Sequence, residues 1–220
     1  MNTTPLKHYT LIMLLAILLV CGLCVAISST LAQIAQHSYQ SWKRLGVTPD
    51  IESWEKTNNL IRFARFVNPY SPSLIDIQYQ IVYSKLTLFP QQEDSLIQQL
   101  ESLNRESIKQ RPLWPYTWAN LAHIKAYKNE YDELFNEGIQ KALHLGPKLS
   151  NIQLSILELS IKSWSHLNSA TQDIIISQLG TQSYEGKLNQ KIVAIIKAQG
   201  FLPILCAGIR SPLKAQDLCT

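Results

Sequence analysis

The sequence predicts an all-α protein, in which one N-terminal membrane-spanning helix is followed by a domain of helical hairpins. Three observations carry this. Residues 11–27 read LIMLLAILLVCGLCVAI, inside a stretch with no charge between Lys7 and Lys43. Helix-start signals recur from Thr48 to Gln172, and no run alternates apolar with polar residues as a half-buried strand does. Beyond the apolar run, large aliphatic residues return every three or four positions, which gathers them on one helical face. The division expected is 1–44 for a short tail, the spanning helix and its extension, 45–200 for the helical domain, and 201–220 for a C-terminal tail.

The span comes first. A helix rises about 1.5 Å per residue, so crossing the hydrocarbon core takes about 20 apolar residues, and Tyr9 to Ile27 supplies close to that. A cleavable signal peptide is the competing reading, with Lys7 ahead of the run and Thr30-Leu31-Ala32 as a conceivable cleavage site. The apolar core is longer than that reading needs, and a helix-compatible polar stretch continues through Gln33, Ile34 and His37 to Trp42, so an uncleaved anchor is expected. Val20 and Leu23 precede Cys21 and Cys24, where a lipid-attachment site would want a small residue, and both cysteines read as small apolar residues of the span.

Charge narrows the partners. Of the formal +4, the first 45 residues hold Lys7, Lys43 and Arg44 with no acid, so the remaining chain carries only +1. A nearly neutral domain lacks the basic footprint that a phosphate backbone requires, and nucleic acid is not an expected partner. The 46% apolar content and five tryptophans suit an ordinary packed core.

Helix starts follow in order. Thr48-Pro49-Asp50-Ile51-Glu52 offers a capping hydroxyl, a proline for the first turn and acids at the positive end of the dipole, predicting a helix over about 49–67. Ser71-Pro72 repeats the device before LIDIQYQIVYSKL. Ser150 with Gln153, and Ser169 with Gln172, have capping-box spacing. Leu60, Ala64 and Val67, then Leu154, Leu157, Ile161 and Trp164, then Leu188, Ile192, Ile195 and Ile196, mark buried faces. About eight helices with short connections are expected after the span.

Two segments look like copies of one unit. Ala64-Arg65-Phe66-Val67-Asn68-Pro69 and Ala142-Leu143-His144-Leu145-Gly146-Pro147 share Ala, a branched aliphatic three residues on and Pro two later, 78 positions apart, about two hairpin units. The small Ala lets a neighbour approach, and Pro stops the helix. Residues 111–147 resemble a tetratricopeptide repeat: Trp118, Leu121 and Ala122 fit the first helix, Tyr131 follows at the repeat's interval, and Ala142 to Pro147 fits the ending. Two departures stand out: one extra residue before Ala142, and Leu134 where an alanine is usual, which would push the paired helices apart.

The same stretch, with the single span, resembles the VpsP-like family of bacterial exopolysaccharide-biosynthesis proteins. WPYTWANLA at 114–122 and KALHLGP at 141–147 carry the resemblance, which extends loosely over residues 45–205. It implies a role in polymer production at the inner membrane beside synthesis and export proteins, and transfers no catalytic residue.

Signs of chemistry are sparse. The sequence has no Gly-rich phosphate loop and no Gly-x-Ser-x-Gly elbow, and the part beyond the span has no Cys-x-x-Cys. His123, His144 and His166 fall on separate segments without metal-ligand spacing. Glu130, Asp132 and Glu133 cluster at a helix start, where acids stabilise the dipole. No enzyme activity, cofactor or metal is expected. Two functions compete: an adaptor that buries Trp118 in a hairpin core, and a glycan-binding or catalytic subunit in which Trp114, Tyr116 and Trp118 stack on sugar rings beside carboxylates. Basic residues flank the span on both sides, so charge does not orient it. Cys206 and Cys219 lie 13 apart in the C-terminal segment, either as two unrelated thiols or as a disulfide. A bonded pair is expected, and with it an N-terminus in the cytoplasm and a domain in the oxidising periplasm.

Overall fold

The computed structural model describes residues 4–88, 93–181, 187–208 and 219, and every regular element among them is helical. Ten α-helices follow one another: α1 (Thr4–Leu45), α2 (Ile51–Val67), α3 (Pro72–Leu88), α4 (Glu93–Gln110), α5 (Pro115–Tyr127), α6 (Glu133–Leu145), α7 (Ser150–Lys162), α8 (Ser169–Thr181), α9 (Lys187–Ala198) and α10 (Leu202–Gly208), with a 3₁₀ turn at Trp164–His166. The compact units divide between Gln110 and Arg111, a different partition from the single 45–200 domain expected.

The first unit is built on α1. His8–Leu45 is the one helix among the described residues that is long and apolar enough alone to cross a membrane. It continues past Ile27 without a break, because Ser28 to Leu45 is free of proline and glycine. Ser28, Ala32 and Ala35 are buried on one side of this extension, and their small side chains let α2 and α3 pack against it. Gly46 at φ 64° ends α1, and Val47 N–H donates to Trp42 O across the left-handed turn. Five residues later α2 begins. Asp50, not the expected Thr48, caps it by accepting from Ser53 N–H at 2.6 Å. In α2 Trp54, Ile61 and Ala64 are buried, and the Trp54 indole donates to Ile81 O of α3 at 2.9 Å. Leu96, Leu100 and Leu103 of α4 complete the core. Each such buried aliphatic contributes about 1.5–3 kcal/mol relative to exposure.

The second unit starts with the α5–α6 hairpin, on both helices of which α7 packs. Its core is Phe135, Ile139, Ile152, Ile156 and Leu157, continued by Ile175, Ile192 and Ile196. Asn129 at φ 55° closes α5, with Glu130 N–H donating to Lys125 O, and Asp132 caps α6 through Phe135 N–H at 3.0 Å. The expected capping boxes are not formed. Ser150 already lies inside α7 and Gln153 turns back to donate to Pro147 O. Before α8, Asn168 is the acceptor for Thr171 N–H at 2.8 Å, while Gln172 donates to Trp164 O. Gly200 at φ 62° lets the chain turn by 109° from α9 into α10. Residues 201–208, expected as tail, belong to this core: Phe201 and Leu205 are buried, and Phe201 meets Trp164 edge-on at 4.8 Å. Leu188 lies outside the residues whose side chains are described.

The two copies read from the sequence end alike. Asn68 N–H donates to Ala64 O, and Gly146 N–H donates to Ala142 O, each at 3.0 Å, and both alanines are fully buried. Each closes the second helix of a hairpin with a five-residue connection and an Asp cap.

Candidate functional site

The residues singled out in 111–147 form hairpin core and turn rather than an open cleft. Trp118 is 7% exposed, its indole donates to Pro112 O at 2.7 Å, and Lys141 Nζ sits 3.9 Å from its ring centroid. Ala122 is fully buried against α6. Leu121, expected in the core beside Trp118, is only half-buried. The contact is centred on Trp118, Ala119 and Ala122, and Leu121 lies about 60° round the helix from Trp118, on its far side from Ala119 and Ala122. Leu134 does not wedge the helices apart, for it is 47% exposed. The extra residue shifts the inner face of α6 to Phe135, Gly138, Ile139 and Ala142. Gly138 is the residue the sequence reading missed. A Cβ there would stand 3.0 Å from Trp118 O, 3.1 Å from Ala122 N and 3.2 Å from Ala122 Cβ. Tyr131 sits in the connection, stacked on His166 at 4.1 Å and edge-on to Phe135 at 5.2 Å. Pro147 is exposed.

The aromatic trio does not make a sugar platform. Trp114 and Tyr116 are half-buried, 5.3 Å apart, with the Arg111 guanidinium 4.8 Å over Trp114 and the Tyr116 hydroxyl accepting from Asn151 at 3.3 Å. Trp118 is buried in the α5–α6 hairpin. Lys125 joins Glu130 at 2.8 Å and Asp132 at 2.6 Å, with Lys128 on Glu130 at 2.8 Å. These pairs tie the α5–α6 connection together. Burial would lower the Lys125 pKa, but the hydrogen bonds it donates to both carboxylates outweigh it and raise it. Hydrogen bonds from Lys125 and Lys128 lower the Glu130 carboxyl. For Asp132 burial pushes up, and the Lys125 and Phe135 donors prevail and lower it.

His123, read as a lone histidine, has a partner: its Nε2 lies 2.6 Å from Ser155 Oγ of α7. Burial pulls its pKa below the usual value, against an opposing pull from Glu158. A histidine beside a hydroxyl is the first half of an activated nucleophile. Glu158, however, is ion-paired with Lys162 at 2.7 Å, and the His123–Ser155 contact reads as a polar tie between α5 and α7. No group of three or more metal-ligating side chains gathers among the described residues.

In the first unit, large apolar side chains crowd the C-terminal end of α2. Phe63 is 54%, Phe66 82% and Tyr70 89% exposed, and the two phenyl rings stack at 6.3 Å. Arg65 beside them is tied to Glu106 of α4 at 2.5 Å and to Gln78 of α3. In the second unit Cys206 and Cys219 are bonded, with Cα atoms 5.8 Å apart, which fastens α10 to the end of the chain.

No protein-family model matches the chain, and no curated protein is significantly similar to it.

Proposed function

We propose that the chain is a membrane-anchored helical-repeat accessory protein, an adaptor for proteins that make or export a bacterial exopolysaccharide. The observation that carries the scaffold part is Trp118: it is core, its indole N–H is spent on Pro112 O, and a sugar platform would need it in the open. The tetratricopeptide-like hairpin α5–α6, its ending repeated at α2 and the long apolar α1 support an anchored array of hairpins, an architecture whose ordinary use is holding protein segments. The polymer assignment rests on the resemblance of residues 114–122 and 141–147 to the VpsP-like family. The Cys206–Cys219 bond favours a periplasmic domain and a cytoplasmic N-terminus, since disulfides persist in oxidising compartments.

Deleting the protein in its own bacterium and measuring secreted polymer tests the reading. Output should fall and be restored by the full chain, but not by a chain whose apolar run is exchanged for a cleaved signal peptide. Unchanged output would remove the polymer role, and full rescue by the unanchored chain would remove the need for the anchor.

A further inference from the structure

We infer that the end of the first unit nearest the span is itself a membrane-contacting surface, in which Phe63, Phe66 and Tyr70 enter the headgroup region of the leaflet from which α1 emerges. The inference rests on α1 being an uncleaved anchor, as in the proposed function.

The level of these residues follows from helix lengths. The apolar run ends at Ile27, and from Ser28 to Leu45 the extension of α1 is about 25 Å long. A five-residue connection then reverses the chain, and α2, packed on α1, runs back for about 24 Å over Ile51–Val67. Its C-terminal end therefore returns to the height of Ser28. Burial along α1 agrees. Ala35, Ala32 and Ser28 are covered, and Cys24, inside the apolar run, is still half-buried while its neighbours in the run are exposed. The cover thus reaches the hydrocarbon edge.

The other helices set the same end toward the membrane. Arg65 pairs with Glu106, and Gln110 reaches Pro69 O at 3.5 Å, so α4 runs parallel to α2 and finishes beside it. At this end stand Arg62, Arg65, Arg105 and Lys109 against Asp76 and Glu106, a surplus of two cations, whereas at the opposite end Asp50, Glu52, Glu55 and Asp94 are balanced by Lys43, Arg44, Lys56 and Lys85. Exposed aromatics at an end with a surplus of cations match the chemistry of an anionic interface, where rings lodge among headgroups and Lys or Arg meets lipid phosphate. In water the stacked Phe63 and Phe66 rings and the exposed Tyr70 would be left uncovered. The unit would then be held by a rigid, unbroken α1 and a second contact, which fixes its tilt on the bilayer.

The test uses the full chain with Cys21 and Cys24 replaced by Ala, reconstituted into vesicles of equal parts phosphatidylethanolamine and phosphatidylglycerol. One nitroxide is placed in turn on Phe66→Cys, on Glu55→Cys at the other end of α2, and on Ile17→Cys within the span. Collisions with oxygen and with a water-soluble nickel chelate are then compared. Phe66 should lose most of the chelate relaxation seen at Glu55 and gain oxygen relaxation toward that at Ile17. A Phe66 profile equal to that of Glu55, with Ile17 in lipid, overturns the contact and leaves the anchor standing. Exclusion of both reagents at Phe66 means a protein covers the patch and also overturns it. A water-exposed Ile17 removes the anchor and the inference together.

Discussion

Replacing Trp118 by alanine should unfold the second unit at markedly lower denaturant concentration. The side chain is 7% exposed, its indole donates to Pro112 O at 2.7 Å, and Lys141 Nζ lies 3.9 Å from its ring centroid. Truncating a buried tryptophan costs about 3–5 kcal/mol through lost transfer energy and the cavity left behind. The lost hydrogen bond falls within that range, since one neutral bond is worth about 1 kcal/mol net. For a unit of about this size the loss lowers the thermal midpoint by roughly 10 °C or more. Lys141→Ala separates the terms: it removes the cation–π contact and the 2.6 Å pair with Glu137, both partly exposed, for about 1 kcal/mol or less. Trp118→Phe keeps most of the apolar volume and falls between the two. Urea unfolding of the full chain in mild detergent, followed by far-UV circular dichroism, measures all three. A Trp118→Ala midpoint equal to that of the parent would refute the core assignment, and with it the argument that this aromatic is unavailable to sugars.

Gly138→Ala should destabilise the same unit, because a Cβ 3.0 and 3.1 Å from backbone atoms of Trp118 and Ala122 forces α5 and α6 apart at about 1–3 kcal/mol, against about 1 kcal/mol gained in helix propensity. A variant more stable than the parent would show that the hairpin can open without cost. Asp132→Ala should cost about 1 kcal/mol as a lost cap, and should flatten the acid limb of the stability curve. The sign follows from the lowered carboxyl: its contribution is full above the unfolded value near about 3.9 and is lost as pH falls through the folded one, so parent and variant should converge in acid. His123 is held neutral by burial, so the unfolded chain binds its proton first. Stability of the second unit should therefore decline as pH drops below about 6.5 until the folded value is passed, and His123→Gln should remove that step in a pH series of unfolding midpoints.

Much of the fold is legible in the sequence because its signals are local. The apolar run, Ser71-Pro72 before α3 and the helical period of Leu157 and Ile161 each depend on neighbours within a turn or two, and α1, α3 and α7 follow them. Caps are legible only to within one or two residues, as Asp50 in place of Thr48 shows. Ser150 and Ser169 have the spacing of caps, yet the chain enters α7 and α8 one residue earlier, because Gln153 and Gln172 bond to carbonyls of the preceding loop instead of closing a box. Features that depend on a partner helix were not legible. Leu134 looked like an intruder until the extra residue rotated α6 and brought Gly138 against Ala122. His123 looked solitary because Ser155 is 32 positions away. Phe63 and Phe66 lie in a helix whose expected buried face, Leu60, Ala64 and Val67, is fully buried only at Ala64, and nothing in their spacing tells that the exposed rings return to the level of the end of the span. The C-terminal α10 was hidden by the prolines and glycines around it, while Phe201 and Leu205 supply the burial that orders it.

The most direct test of an anchored adaptor is affinity purification of the tagged full chain from native membranes after brief cross-linking, with the partners identified and compared with a Leu134→Lys variant altered at an exposed site of the hairpin. The account predicts stoichiometric recovery of a component of a polysaccharide synthesis or export complex from the membrane fraction. Recovery of the chain alone, or in the soluble fraction without its N-terminal helix, would contradict it.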